Sequence, residues 1–94
     1  MRISWTLGAR VDLQNARHYI TERSPKGAQR VALSILINVR HLAETSAIGH
    51  PGRVTHTREL VVPQTPYIVA YSVIENNLVI LGIIHDARER PDTF

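Results

Sequence analysis

The chain contains no cysteine, only one lysine and few aromatic residues, and each of these scarcities limits the kinds of site or core that it can form. Without cysteine there is neither a disulfide framework nor a thiolate metal site. One Trp, one Phe and three Tyr leave aliphatic side chains to fill most of the core. No apolar run approaches the roughly 18 residues of a membrane span. The N-terminal segment also lacks the apolar core of a signal peptide, so we expect a cytoplasmic protein without membrane association.

What the chain has in excess is arginine, which accounts for ten of its eleven basic residues. The planar guanidinium makes bidentate contacts with phosphate and carboxylate groups. A pI near 10 fits an acidic or polyanionic partner, although a GC-rich genome would also favour arginine codons. Residues 1–47 carry seven basic and three acidic groups, against four and five in residues 48–94. A polyanion site in the second half must therefore arise from local arrangement.

Two amphipathic helices are indicated by the apolar periodicity of the first half. Thr6 can cap the first helix, which we expect to end near Glu22, and Ser24 and Pro25 begin the second. The residues predicted to face the core are Ala9, Leu13, Ala16, Tyr19, Ile20, Ala28, Ala32, Ile35, Val39 and Leu42. The second helix is apolar beyond this stripe, at Leu33, Leu36 and Ile37. These additional residues predict either a partner surface or packing within the helical hairpin.

The remainder of the chain predicts strands. An extended segment at Arg2–Trp5 precedes the first helix, and a loop rich in Gly and Pro follows the second. We place three strands at 57–62, 67–74 and 78–84, with a turn at 63–66 and a two-residue turn at Asn76 and Asn77. The 94 residues are too few for two cores, so we predict one domain, 1–94. The order β-α-α-β-β-β predicts an α+β fold, an antiparallel sheet with a two-helix hairpin packed on one face.

Hairpin geometry assigns side chains to the two faces of the sheet, because directly opposed residues share a face. The turn at 63–66 sets Val61 opposite Ile68 and Arg58 opposite Tyr71. The turn at Asn76 and Asn77 sets Ile68 opposite His85. The residues expected under the helices are Leu60, Val62, Tyr67, Val69, Tyr71, Val73, Ile80 and Ile84. Ile83 and His85 are expected on the opposite, more polar face.

The helical hairpin, TRELVVPQTPYIVAY at 57–71 and LVILGIIHDARERP at 78–91 together resemble the RelE/ParE superfamily. Its members are small toxins of type II toxin–antitoxin systems. The resemblance implies a cytoplasmic toxin neutralised by a cognate antitoxin protein in a hetero-oligomer. RelE-like members cut mRNA in the ribosomal A site with basic residues and no metal, whereas ParE-like members inhibit DNA gyrase and are not nucleases. Fold similarity does not choose between these activities.

Compared with the nuclease branch, the chain matches only in part. Glu59 and Val61 stand where RelE-like nucleases have lysines, and Ile68 aligns with an arginine. Arg88 matches the C-terminal arginine of that branch, and Phe94 aligns with its base-stacking aromatic residue.

Two groups of histidines also bear on the resemblance. His85 matches a histidine of ParE-like toxins and of nucleases that use histidine. His50 and His56 lie in the loop where one such branch has catalytic histidines.

Histidine and arginine could together supply metal-free RNA cleavage. Histidine suits proton transfer near neutral pH, and arginine stabilises the charge that develops on the phosphorane. The residues predicted to be catalytic are Arg58, His85 and Arg88. Those predicted to contact RNA or another target are Arg53, Arg90, His56 and Phe94. No metal or cofactor is predicted, because His50, His56 and His85 lack a completing ligand at a recognisable spacing.

Three functions follow from these observations. The main prediction is a ribosome-dependent, metal-independent mRNA endonuclease that blocks translation. The alternatives are a non-catalytic inhibitor of DNA gyrase and a degenerate member that only binds its antitoxin. The site residues also have a purely structural interpretation. In it His85 ends an apolar strand, residues 88–90 form a solvated tail, and Arg58 pairs with Glu59 or with an acid of the antitoxin.

Overall fold

The chain folds into a two-helix hairpin that packs on one face of a five-stranded sheet, in a computed structural model that describes residues 1–86 and 93–94. The helices are α1 (Leu7–Thr21) and α2 (Pro25–Glu44), and a short 3-10 helix follows at Ser46–Ile48. The strands are β1 (Arg2–Trp5), β2 (His50–Pro51), β3 (Arg58–Val61), β4 (Tyr67–Ile74) and β5 (Asn77–His85). The predicted α+β fold is confirmed, with the two-residue strand β2 as an addition.

Both helices begin at the predicted caps. The Thr6 Oγ1 accepts from the Ala9 N–H at 3.1 Å, and the Ser24 Oγ accepts from the Gly27 N–H at 3.0 Å. The buried residues of α2 are the five predicted ones, Ala28, Ala32, Ile35, Val39 and Leu42. Tyr19 was predicted for the core but is exposed, with the Arg23 guanidinium 4.1 Å above its ring. This cation–π contact holds the aromatic ring at the surface.

The strand order is β1-β5-β4-β3-β2, and β1 runs parallel to β5 while the other neighbours are antiparallel. The sheet is therefore mixed rather than wholly antiparallel. Parallel pairing is possible here because the connection from β1 to β5 contains both helices, and parallel strands require a long crossover. The predicted register of β3 against β4 is confirmed, with Arg58 opposite Tyr71 and Val61 opposite Ile68.

The predicted register of β4 against β5 is wrong. Ile74 pairs with Asn77, so the turn consists of Glu75 and Asn76, and Glu75 adopts a positive φ of 56°. Farther along, Tyr71 pairs with Ile80 and Ala70 with Gly82, so Leu81 is an extra residue in β5. Such a β-bulge reverses the faces of the residues beyond it.

Beyond the bulge, His85 consequently lies opposite Tyr67 rather than Ile68, on the face covered by the helices. Ile83 and Ile84 exchange their predicted faces for the same reason. Ile83 joins the core beneath the helices, and Ile84 joins Ile68 and Ala70 in a small cluster on the other face.

The main core lies between the sheet and the helical hairpin. Its largest fully buried side chains are Tyr71, Ile35, Leu42, Leu78, Ile80, Val39, Val62 and Val69. Each aliphatic side chain of this set stabilises the fold by roughly 1.5–3 kcal/mol relative to its exposed state. No described helix has both the length and the hydrophobicity to cross a membrane.

Candidate functional site

Tyr71 connects the sheet to the loop that follows α2. Its hydroxyl donates to the Ser46 carbonyl at 2.6 Å and accepts from the Gly49 N–H at 3.0 Å. Burial raises the pKa of Tyr71, and the Gly49 hydrogen bond and the Arg58 charge oppose that shift. A tyrosine phenol is already protonated near neutral pH at its ordinary pKa of 10.0, and the raised pKa of Tyr71 strengthens that preference. The hydroxyl therefore continues to donate to Ser46. A Cβ at Gly49 would overlap this hydroxyl, so the loop passes the ring at a distance that only glycine permits.

Arg58, a predicted catalytic residue, makes a structural hydrogen bond in this loop. Its Nη1 donates to the Gly49 carbonyl at 2.8 Å, which turns the guanidinium towards the end of the 3-10 helix. The residue remains exposed at the surface of β3. It contributes to an open depression of about 290 Å³ whose other lining residues are Pro51, His56 and Thr57.

The segment from Gly52 to Thr57 is tied closely to the sheet. The Gly52 N–H donates to the Thr57 carbonyl at 2.8 Å, and the Ser72 Oγ donates to the His56 carbonyl at 2.9 Å. Glu59 is buried, and its Oε2 accepts from the Arg53 backbone N–H at 3.1 Å. Glu59 thus lies against the Arg53 backbone, while the Arg58 guanidinium lies against the Gly49 carbonyl.

The His85 side chain lies in a different environment, where the end of β5 faces α1. Its ring meets the Tyr67 ring nearly at right angles, with centroids 5.3 Å apart. The two rings border a small cleft of about 50 Å³ whose other lining residues are Asp12, Asn15, Ala16 and Ile83. The predicted position of His85 on the open, polar face is therefore wrong, because the bulge in β5 turns it under the helices.

Asp12 forms a hydrogen bond with the part of β5 that extends past the end of β1. Its Oδ2 accepts from the Ile83 N–H at 3.0 Å, so the carboxylate takes the place of a neighbouring strand. Burial raises the pKa of Asp12, and the hydrogen bond from Ile83 partly offsets that rise. Sequence reasoning missed this residue, because a single acid on the polar side of an amphipathic helix has the pattern of an ordinary exposed residue.

The predicted catalytic residues do not converge in the described part of the chain. Arg58 lies opposite Tyr71 and His85 lies opposite Tyr67. Four residues along β4 span about 13 Å and two strand spacings about 10 Å, so the Cα atoms of Arg58 and His85 are about 16 Å apart. His56 and Arg58 do line one common depression.

The C-terminal predictions lie mostly outside the described residues. Arg88 and Arg90 belong to the segment 87–92, so their predicted roles remain predictions. Phe94 is described and half-exposed, with its Cε1 2.9 Å from the position that a Cβ on Gly82 would occupy. Its ring therefore lies against the glycine beside the bulge of β5.

A second surface is formed by the outward side of α2. Leu33, Leu36 and Ile37 have exposures of 58%, 42% and 56%, so they do not pack within the hairpin. Leu33 and Leu36 border two adjoining clefts of about 540 and 460 Å³. The first cleft is also lined by Arg17, Lys26 and Arg30, and the second by Ile3, Trp5, Ile37 and Arg40.

We call this surface, Leu33, Leu36 and Ile37 with the basic residues beside them, the α2 face. No acidic residue lines either cleft in the described part of the chain. The apolar residues of this face are predicted from the sequence, but its basic border is not. The signal was present, since Arg30, Leu33, Ile37 and Arg40 recur at helical spacing.

Within residues 1–86 and 93–94, no three His, Cys, Asp or Glu side chains are grouped so that they could hold a metal ion.

The chain is similar to known toxin proteins. Residues 3–90 match the family described as ParE toxin of type II toxin–antitoxin system, parDE. The protein Y4kP of Sinorhizobium fredii is 41% identical over 90 residues, which is 96% of this chain and 93% of that protein. Toxin RelE2 of Caulobacter vibrioides is 37% identical over 87 residues, covering 93% of this chain and 97% of that toxin.

A solved structure has the same fold. A chain of the chromosomal ParDE TA system from P. aeruginosa superposes with a TM-score of 0.80 at 26% identity. The alignment covers 90% of this chain and 95% of that chain.

Proposed function

We propose that this chain, which belongs to the ParE toxin family of type II toxin–antitoxin systems, arrests growth by binding DNA gyrase and not by cutting RNA. Family membership makes the chain the toxin of such a pair, with an antitoxin as its partner. What we propose is the target, DNA gyrase, and the mode of action, inhibition by binding. This proposal rests chiefly on the separation of about 16 Å between the Cα atoms of Arg58 and His85.

Cleavage of RNA without a metal requires several groups around one phosphate. A general base and a general acid must each come within about 2.6–3.2 Å of the atom whose proton they transfer. A cation must also stabilise the developing negative charge. Arg58 donates to the Gly49 carbonyl, and His85 lies against Tyr67 beneath the helices. These separate positions support a mode of action that does not require both residues at one phosphate.

The residues at the nuclease positions support the same proposal. Glu59 is buried and accepts a backbone hydrogen bond, while Val61 and Ile68 are apolar. None of the three side chains carries the positive charge that the nuclease branch has there. A toxin that acts through binding needs no such charge.

The α2 face is proposed to bind the antitoxin. Its exposed aliphatic residues offer an apolar surface, and Arg17, Lys26, Arg30 and Arg40 border it. This combination fits an amphipathic antitoxin segment with apolar residues on one side and Asp or Glu along its margins.

The gyrase proposal is tested by two assays on the same purified toxin. Supercoiling by gyrase should fall as toxin is added and recover when antitoxin is added, while message in a purified translation system stays intact. Unaffected supercoiling at a large excess of toxin would falsify the proposal.

A ribosome-dependent mRNA endonuclease is the second candidate, because His56 and Arg58 border one depression at the sheet surface. The toxin would then cut message only when ribosomes are present, and Arg88→Ala would abolish cutting. Normal growth of cells that express the toxin without antitoxin would instead favour a member that only binds its antitoxin.

Antitoxin binding at the α2 face is tested with Leu36→Glu. The buried charge should weaken antitoxin binding by at least about tenfold, whereas inhibition of the target should persist. Val61→Glu is the matched control, because Val61 is exposed on the sheet and lies away from α2. Equal antitoxin affinity of Leu36→Glu and wild type would exclude this face.

A further inference from the structure

We infer that the loop between β2 and β3 is the surface through which the toxin contacts an acidic patch on its protein target. This inference rests on the proposed function in one respect, that the target is a protein. The contact surface is formed by Pro51, His56, Thr57 and Arg58, which border the depression of about 290 Å³, and we call it the loop site.

The loop site is held rigidly before any partner binds. Tyr71 fixes its beginning through hydrogen bonds to Ser46 and Gly49, and Ser72 fixes its far side through the His56 carbonyl. Within the loop, the Thr57 Oγ1 donates to the Val54 carbonyl at 2.6 Å. A surface that is already ordered loses little conformational entropy on association.

The backbone at His56 adopts a left-handed conformation that is uncommon for residues other than glycine. His56 has a φ of 66° and is the third residue of a turn closed by the Thr57 N–H to the Val54 carbonyl at 3.1 Å. Positive φ at such a position ordinarily selects glycine or asparagine. Histidine stands there instead, with its side chain exposed at the depression.

The Arg58 guanidinium is oriented for a ligand. One N–H, on Nη1, donates to the Gly49 carbonyl, and this fixes the plane of the group. A guanidinium has five N–H donors, so further donors remain for a carboxylate. Among the described residues that line the depression there is no acid. The nearby Glu59 is buried and accepts the Arg53 backbone N–H.

The charge distribution favours a protein carboxylate over nucleic acid as the ligand. Binding to a phosphate backbone depends on neutralising many phosphates with a broad basic surface. Residues 48–94 instead carry four basic and five acidic groups. One oriented guanidinium beside one imidazole matches one or two carboxylates at a protein surface.

The loop site also lies away from the α2 face. Strand β1, whose Ile3 and Trp5 border the α2 face, is at one edge of the sheet, and β2 is at the other. Four strand spacings separate these edges by about 19 Å. Loss of target binding and loss of antitoxin binding can therefore be produced by different substitutions.

The test uses His56→Gly and Arg58→Gln in the full-length toxin. Glycine accepts the positive φ, so His56→Gly removes the imidazole while relaxing the backbone. Gln64→Gly is the matched control, because Gln64 has a φ of 63° in the 63–66 turn, outside the loop site. Growth arrest without antitoxin, inhibition of gyrase supercoiling, antitoxin affinity and thermal stability are measured for each variant.

We expect His56→Gly and Arg58→Gln to raise the toxin concentration for half-maximal gyrase inhibition at least about tenfold and to relieve growth arrest. Their antitoxin affinity should equal that of wild type, and Gln64→Gly should behave as wild type in every assay. For His56→Gly, thermal stability at or above the wild-type value shows that lost activity is not lost folding.

Other outcomes separate the two proposals. If wild type leaves both gyrase and message unaffected but the loop variants still relieve growth arrest, the gyrase proposal fails and the loop site stands for another protein target. If wild type instead cuts message and both variants lose that activity, the loop site serves RNA and the assignment to a protein target fails. Full growth arrest by His56→Gly and Arg58→Gln overturns the loop site, whatever the target. If wild-type toxin binds DNA in the absence of gyrase and both variants lose that binding, the assignment of the ligand as a protein carboxylate is overturned.

Discussion

Tyr71 and Asp12 each join segments that no strand pairing connects. Tyr71 holds the loop after α2 against the sheet through Ser46 and Gly49. Asp12 holds α1 against the part of β5 beyond β1, through the Ile83 N–H. At the scale of single residues, these two polar side chains position the loop site and the His85 cleft.

Tyr71→Phe should destabilise the protein by about 1–3 kcal/mol, because the Ser46 carbonyl and the Gly49 N–H lose their common partner. Urea denaturation measures the loss, and faster hydrogen exchange at Gly49 would localise it. Tyr19→Phe is the control, since Tyr19 is exposed and its hydroxyl should matter little. Equal stability of Tyr71→Phe and wild type would contradict the anchoring role.

Asp12 should make stability depend on pH in an unusual direction. Burial raises the folded-state pKa of Asp12 above its ordinary value of 3.8. At pH values between 3.8 and the raised pKa, the folded protein therefore binds more protons than the unfolded chain. The contribution of Asp12 to stability therefore increases as pH falls from above the raised pKa to below 3.8.

Asp12→Asn should consequently be more stable than wild type at neutral pH, because the amide oxygen still accepts from Ile83 without a buried charge. The difference should shrink in acid, where the wild-type carboxyl is also neutral. Asp12→Ala, which has no acceptor, should be less stable than Asp12→Asn at both pH values. Urea midpoints at the two pH values provide the measurement, and a lower midpoint of Asp12→Asn at neutral pH would refute this explanation.

At the scale of elements, the start of α1 depends on the sheet as well as on its own sequence. The Thr6 N–H donates to the Ile80 carbonyl at 3.1 Å, and its Oγ1 also donates to that carbonyl at 3.1 Å. The same hydroxyl accepts from the Ala9 N–H. Thr6 therefore ends β1, caps α1 and attaches both to β5.

Thr6→Ala should destabilise the fold by about 1–2 kcal/mol, the upper part of the range for a lost helix cap. Thr6→Ser keeps the hydroxyl and should lose much less. Thermal unfolding of both variants compares the two effects. If Ser and Ala destabilise equally, the methyl group and not the hydroxyl is what Thr6 contributes.

At the scale of the whole molecule, charge and apolar surface are distributed over two separate edges. The basic border of the α2 face should speed association with an acidic antitoxin, and salt should screen it. We expect the association rate to fall about tenfold or more between about 0.05 M and about 0.5 M salt, with a smaller change in dissociation. Arg30→Glu together with Arg40→Glu should slow association at low salt and reduce this dependence. Salt-independent association kinetics would contradict the role of the basic border.

Sequence alone determined the parts of this protein that depend on local chemistry. The caps at Thr6 and Ser24, the core stripe of α2 and the pairing of Arg58 with Tyr71 all follow from neighbouring residues. The resemblance to the RelE/ParE superfamily likewise depended on the order of the elements and on the sequences of residues 57–71 and 78–91. The match to the ParE toxin family confirmed it.

Only the tertiary structure decided the position of His85 and the separation of the predicted site. LVILGIIH is apolar on both sides, so its alternation does not specify which residue of Ile83 and Ile84 faces the helices. Packing against α1 and the bulge at Leu81 make that choice, and they carry His85 with Ile83 under the helices. The loop site is likewise tertiary, since Tyr71 and Ser72 hold residues that are distant in sequence. Spacing along the chain carries no information about such contacts.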